Sequence, residues 1–198
     1  MRRFAKFCGL TLFIVLLASP THAAPVDFFA TLSGDAEIPP TGSSATGTAH
    51  VTFDNVAHTL VVQASFAGLS TPDIAAHIHC CVPQPGNTGV ATVMPAFPAF
   101  PLNVTSGNYM SLTPLNTLDL TTYNSAFVSA NGGTAASAEA ALFNGMVAGQ
   151  SYFNIHTAQF AGGEIRGILV TPEPGTLLLL SVGLTGLAHH LRRKRRRA

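Results

Sequence analysis

Three segments near the start of the chain alternate apolar and polar positions at the two-residue period of a half-buried strand. They are Val26–Ser33 (VDFFATLS), Thr46–Asp54 (TGTAHVTFD) and His58–Phe66 (HTLVVQASF). All three are rich in β-branched and aromatic residues and are bounded by Gly, Pro, Asn or Asp. Between the second and third, Asp54-Asn55-Val56-Ala57 reads as a four-residue hairpin connection, which predicts an antiparallel pair. Ile74–His79, Gly89–Met94, Ser151–Thr157 and Glu164–Val170 continue the series. Two segments read as helices, Leu120–Ala130 and Thr134–Asn144, the second with Thr134 and Ser137 as candidate caps and Gly145 as its stop. Pro95–Pro101 (PAFPAFP) is apolar but broken by proline, which suits a loop or an edge segment. Some seven short strands and these two helical segments predict a mainly β fold, an antiparallel β-sandwich with a short helical insertion.

The two ends follow other patterns. Residues 1–23 run from a basic start (Arg2, Arg3, Lys6) through an apolar stretch, Phe7–Ala18, to small residues at Thr21 and Ala23. About 12 apolar residues rise only about 18 Å, short of a hydrocarbon core of about 30 Å. The segment therefore reads as a signal peptide cut after Ala23 by signal peptidase, and residues 24–171 as one exported domain. At the other end Pro172-Glu173-Pro174 precedes a short apolar segment within 176–191, a membrane helix in this reading, and then the bases Arg192–Arg197. Six bases directly after an apolar run hold the C-terminus in the cytoplasm.

Charge sharpens that division. Residues 24–171 carry eight acids against a single base, Arg166, a net of −7, while the whole chain is at +1. Such a middle cannot neutralise a run of phosphates, so a nucleic-acid partner is excluded. With 18 Gly, 13 Pro and no Trp, the domain is expected to be rich in turns.

Several blocks resemble a known family. Phe29-Ala-x-Leu-Ser-Gly34, Ala36-Glu-Ile-Pro-Pro40, Ala75-Ala-His-Ile-His79, Tyr152-Phe-Asn-Ile-His-Thr157 and Gly162-Gly-Glu-Ile-Arg-Gly167 resemble the CHRD domain. The blocks stand in family order over about residues 28–170. The resemblance implies an immunoglobulin-like β-sandwich and names no reaction. The sequence departs from the common His-x-His-Gly ending by carrying Cys80-Cys81 after His79. The tail from Pro172 resembles the PEP-CTERM sorting signal of bacterial exported proteins, with Thr171 where many such signals have Val. That resemblance implies recognition by an exosortase, cleavage near Pro172-Glu173-Pro174, a membrane-anchored intermediate, and delivery to the cell surface or extracellular matrix.

Candidate chemistry rests on few residues. His77 and His79 are two apart on a predicted strand, so both rings share a face with backbones about 6.6–7 Å apart, close enough to chelate one metal. His156, on a later strand, is a candidate third ligand, and Cys80 and Cys81 would add thiolates that favour copper or zinc. Such binding would weaken below about pH 6, where imidazoles protonate. The alternative is structural histidines donating to backbone carbonyls. Cys8 leaves with the signal, so the exported chain keeps one adjacent cysteine pair: a disulfide, metal-ligating or free thiols, or intermolecular bridges. Arg166 is expected to form a structural ion pair with an acid such as Glu37, or else to grip an acidic ligand. His50 and His58 flank the first hairpin and read as solvated. No nucleophile motif or phosphate loop is present, and Glu37, Glu139 and Glu164 are not spaced as a glycosidase pair.

Two functions of different class remain. One is a non-enzymatic structural or adhesive module of the bacterial envelope or matrix, with an envelope or matrix polymer as its partner. The other is a copper- or zinc-binding protein using His-x-His, with a superficial likeness to copper–zinc superoxide dismutase but without that family's wider ligand set.

Overall fold

The computed structural model describes residues 24–172. The signal peptide expected at 1–23, Glu173 and Pro174 of the sorting motif, the membrane segment 176–191 and the basic tail lie outside the described residues.

The strands are β1 (Val26–Ser33), β2 (Thr46–Asp54), β3 (Thr59–Ala67), β4 (Asp73–Cys80), β5 (Gly107–Met110), β6 (Leu115–Asn116), β7 (Ser151–Thr157) and β8 (Ile165–Ile168). Two helices, α1 (Ser125–Ala130) and α2 (Ala135–Val147), fall between β6 and β7. All eight strands join one antiparallel sheet in the order β4-β7-β8-β1-β2-β3-β5, with β6 beside β3. The fold is thus mainly β, a curled antiparallel sheet with two short helices, where two facing sheets of an immunoglobulin-like sandwich were expected. The reason is local. Beta strand β1 pairs with β2 along its whole length and also meets β8 through Ser33 and Arg166. A bridge between Phe29 and Val170 reinforces that seam.

The alternation read from sequence decides which side chains turn inward. Phe28, Ala30 and Leu32 of β1, Ala49, Val51 and Phe53 of β2, and Leu60, Val62, Ala64 and Phe66 of β3 are buried on one face. Ala76, Ile78 and Cys80 of β4, Phe153 and Ile155 of β7, and Ile165 of β8 continue it. Inside the curl they meet Phe127 and Val128 of α1, Leu142 and Met146 of α2, and Phe97 from the loop after β4. Burying each of the Phe, Leu, Ile, Val and Met side chains among them contributes about 1.5–3 kcal/mol.

Element boundaries differ where side chains redirect the backbone. His58, expected in β3, is the last residue of the β2–β3 turn with φ 57°. Asp54 causes this by accepting from Val56 N at 2.9 Å and Ala57 N at 2.7 Å, an Asx-turn that shifts the connection by one residue. Gly89–Met94 is no strand and makes only isolated bridges, at Val90 to His79 and at Thr92 to Tyr123. The expected helix over Leu120–Ala130 splits into a 3-10 turn, Leu120–Thr122, and α1, which Asn124 caps by accepting from Ala126 N. Helix α2 has Thr134 and Ser137 in a reciprocal capping box. It runs through Gly145, expected as its stop, and ends at Val147. Strands β5 and β6 were not expected; at four and two residues they are too short to show a period. Among the described residues no helix is long and apolar enough to cross a membrane.

Candidate metal centre

The outer face of the sheet, opposite the core, changes character along its width. On β1–β3 it is partly open to solvent, whereas every residue of β7 and the last five of β4 are buried. Segments around Thr88, Pro95 and Ala161 lie over β4 and β7 and present backbone carbonyls to them. Polar residues that strand alternation places there are therefore sequestered.

The β4–β7 register sets His77 opposite Asn154, His79 opposite Tyr152 and Ala75 opposite His156. Directly opposed residues share a face, so His77, His79, Tyr152, Asn154 and His156 all stand together. The three imidazoles form a cluster whose candidate ligand atoms lie within 4.8 Å of one another. Ring centroids are 4.8 Å apart for His77 and His79, 4.6 Å for His77 and His156, and 5.6 Å for His79 and His156. All three residues are buried, His77 to 2% exposure.

Each ring is held the same way. His77 Nδ1 is 3.0 Å from Pro95 O, His79 Nδ1 2.7 Å from Thr88 O, and His156 Nδ1 3.0 Å from Ala161 O. A carbonyl oxygen only accepts, so each Nδ1 carries the hydrogen and each neutral ring has a bare lone pair at Nε2. This is the arrangement in which metal-ligating histidines are fixed in tautomer and orientation by an outer hydrogen bond. His79 Nε2 and His156 Nε2 stand 3.5 Å apart with no hydrogen between them, and His77 Nε2 is buried without a partner. Two facing lone pairs repel unless a cation lies between them.

A proton is a poor candidate for that cation. Burial, reinforced by the charges His156 and His79 would carry, pushes His77 down to about 3. Burial pushes His79 down to about 4, against the pull of the Thr88 carbonyl, and lowers His156 as well. His77 and His79 of the folded protein therefore stay neutral well below pH 6, and His156 is shifted the same way. If a metal binds here, the weakening expected near pH 6 from free imidazole would fall at more acid pH. Nitrogen ligands about 2.0–2.1 Å from one ion would sit about 3.3–3.6 Å from each other, which the His79–His156 spacing already meets.

Arg166 closes the cluster's far side. On β8 it pairs with Asn154, and its Nε is 3.6 Å from Glu37 Oε2, both side chains being buried. It also donates from Nε to Ala36 O at 2.6 Å and from an Nη to Asn87 Oδ1 at 2.7 Å. Its guanidinium lies 4.6 Å from the centre of the Tyr152 ring, and that ring is stacked on His79 at 4.7 Å. Burial pushes the Glu37 carboxyl up to about 7 against the pull of Arg166. Tyr152, Asn154 and the three carbonyls were not singled out from the sequence. Alternation on β7 does place Tyr152 and Asn154 beside His156, but nothing in that pattern says that loops cover the face.

The cysteines are not part of this cluster. Cys80 and Cys81 are joined as a disulfide, and Cys80 belongs to the core face with Ala76 and Ile78. Strand alternation turns it away from His79, so the thiolate ligands expected beside the imidazoles are absent from the histidine face. Both sulfurs abut Gly145 of α2, where a Cβ would collide with them; this is why a glycine sits mid-helix. The pair also lines a cavity of about 400 Å³ with Thr88, Gly89, Phe127 and Asn131. Of the remaining histidines, His50 meets Asp27 at 2.8 Å on the outer face, and His58 meets the buried Glu139 at 2.9 Å. Glu164 accepts from Ser43, Ser70 and Thr157, tying three segments together at a fully buried carboxylate.

A curled sheet holding a buried set of three carbonyl-anchored imidazoles defines a β-sheet module with a candidate metal centre. Its family follows from the match of residues 28–169 to the CHRD domain: the chain belongs to the CHRD domain family. Residues 170–196 match the PEP-CTERM protein-sorting motif, which implies recognition by an exosortase. No curated protein and no solved structure matches the chain.

Proposed function

We propose that the protein is an exported, surface-sorted module of the bacterial envelope or matrix that binds a copper or zinc ion through Nε2 of His77, His79 and His156, without turnover. The observation that carries the metal reading is the pair of bare Nε2 atoms facing each other at 3.5 Å, each fixed as an acceptor by its own Nδ1–H···O=C bond. A set of purely structural histidines would have no reason to leave two lone pairs face to face and a third buried without a donor. Imidazole nitrogen suits copper and zinc over magnesium or calcium. The sorting motif supports delivery after signal peptidase and exosortase processing, and a structural or adhesive role there is compatible with a bound ion that staples β4 to β7.

Elemental analysis of the untagged protein tests the metal reading. One equivalent of copper or zinc, lost in the His77→Ala plus His79→Ala double variant, is the expected result; a metal-free protein that also gives no heat on titration with either ion sinks it. Sorting is tested separately: deleting residues 172–198 is expected to release the domain as a soluble exported protein. Identical fractionation of truncated and full-length chains would remove that part.

A further inference from the structure

The register that gathers three neutral donors gathers no anion with them. Among the described residues, the group of metal-ligating type at this point consists of His77, His79 and His156 alone, with no carboxylate or thiolate. Nearby acids are engaged elsewhere. Glu37 faces Arg166, Glu164 is held by Ser43, Ser70 and Thr157, and Asp73 accepts from Val104 N. The charge that does act on the cluster is positive. Arg166 lies over Tyr152, and Tyr152 lies parallel to His79 within 6°, so a cation, a phenol ring and a candidate ligand ring form one stack.

That charge pattern discriminates between ions. A divalent ion on three neutral imidazoles keeps its whole charge in a buried layer beside a guanidinium, unless it brings hydroxide or another small anion as a further ligand. A monovalent ion keeps half as much and needs no such partner. Of the monovalent ions, sodium and potassium take oxygen ligands, whereas copper(I) takes imidazole nitrogen. Resting on the reading that the three histidines bind a metal, we propose that the site is a copper(I) site with three imidazole ligands, and that Arg166 and Tyr152 are positioning residues that favour the monovalent ion over divalent ones.

Tyr152 also fixes the outer hydrogen bond of the ligand it covers. Its hydroxyl is 3.3 Å from both Thr88 N and Thr88 O, and Thr88 O is the acceptor for His79 Nδ1. Arg166 holds the same loop through Asn87 Oδ1 and Gly86 O. Losing the Tyr152 ring breaks the stack between the guanidinium and His79 without removing any ligand.

The test is a pair of competition titrations on the full chain, purified without a polyhistidine tag. One uses copper(I) against a chromophoric copper(I) chelator, kept reduced anaerobically by ascorbate; the other uses zinc(II) against a zinc chelator. Both are run in buffer free of halide and carboxylate. Copper(I) is expected to bind about 100-fold more tightly than zinc(II), or more, as a buried unit of uncompensated charge requires. Tyr152→Leu is expected to lower that ratio about 10-fold, in the range seen for outer partners of metal ligands, while Tyr152→Phe, which keeps the ring, preserves it. Zinc(II) binding as tightly as copper(I) overturns the copper(I) assignment and leaves the metal reading standing. An unchanged ratio in Tyr152→Leu overturns the role of the stack. Binding of neither ion overturns the metal reading itself.

Discussion

The outer face of this sheet carries the same kinds of residue in its middle and at one end, in opposite surroundings. On β1 and β2, His50 stacks on Phe29 at 4.4 Å and meets Asp27, with His50 and Asp27 side chains 32% and 49% exposed. On β4, β7 and β8, His79 stacks on Tyr152 beneath Arg166 and Glu37, all buried. The first group is a solvated surface that happens to be well arranged; the second has been taken out of water by loops that supply just enough carbonyls for three Nδ1–H donors. Polar groups cost little on a wet face and several kcal/mol on a dry one unless satisfied. The leftover lone pairs therefore carry meaning only at the covered end.

Acid is expected to strain the covered end most. Between pH 6.5 and about 4 the unfolded chain takes up a proton on His77 and on His79 that the folded protein does not, since burial holds His77 to about 3 and His79 to about 4, and burial lowers His156 in the same sense. A depressed imidazole contributes stability above its free value that is lost as pH falls. Glu37 works the other way: raised from 4.5 to about 7, it binds one extra proton in the folded state across that interval. His77 and His79 against Glu37 leave a net of one proton, or about 1.4 kcal/mol lost per pH unit between pH 6.5 and 4.5 in the metal-free protein, and His156 adds to that loss. Urea titrations at stepped pH read this directly, and His77→Gln is expected to reduce the slope by about 1.4 kcal/mol per unit. A stability independent of pH over that range would mean the three rings are open to solvent.

Next is the contrast between the two faces of one strand. Phe28 is fully buried, its neighbour Phe29 is 43% exposed. Phe28→Ala is expected to cost about 3–5 kcal/mol and Phe29→Ala less than about 1 kcal/mol in chemical denaturation. Equal costs would show that the outer face of β1 is not wet. Arg166→Ala follows at about 3 kcal/mol, because it strands Glu37 and the acceptors Ala36 O and Asn87 Oδ1. A cost under about 0.5 kcal/mol would put the guanidinium in solvent.

How far the sequence could show this contrast depends on what each half asks of it. The wet half was legible almost to the residue: β1 and β2 begin and end where the alternation does, because one buried and one solvated face imprint a period of two. Histidines 77, 79 and 156 were legible as candidates for the same reason. Their environment was not, since the cover comes from Thr88, Pro95 and Ala161, which act through backbone carbonyls that any residue type provides. Cys80 was weighed both as a ligand and as the disulfide partner of Cys81, and the structure has the disulfide. Its adjacency to His79 in sequence suggested a shared site, although the strand period that pairs His77 with His79 turns Cys80 toward Gly145. That glycine read as a helix stop because its packing partners lie far off along the chain.

The smallest expected effect is at Asp27. It accepts from Thr52 Oγ1 at 2.6 Å and His50 Nε2 at 2.8 Å, and these bonds, Thr52's first, hold its carboxyl below the usual range. On paper this is as well connected as Glu37 with Arg166. Water competes for every one of those bonds, however, and side-chain ordering offsets what remains, so Asp27→Ala is expected to cost no more than about 0.5 kcal/mol. The same substitution is expected to leave metal binding unchanged, because His50 belongs to a face that no loop among the described residues covers. A loss of about 2 kcal/mol or more in a denaturant titration would mean that something covers the β1–β2 face as well, and the distinction between the wet and dry parts of the sheet would no longer single out the three histidines.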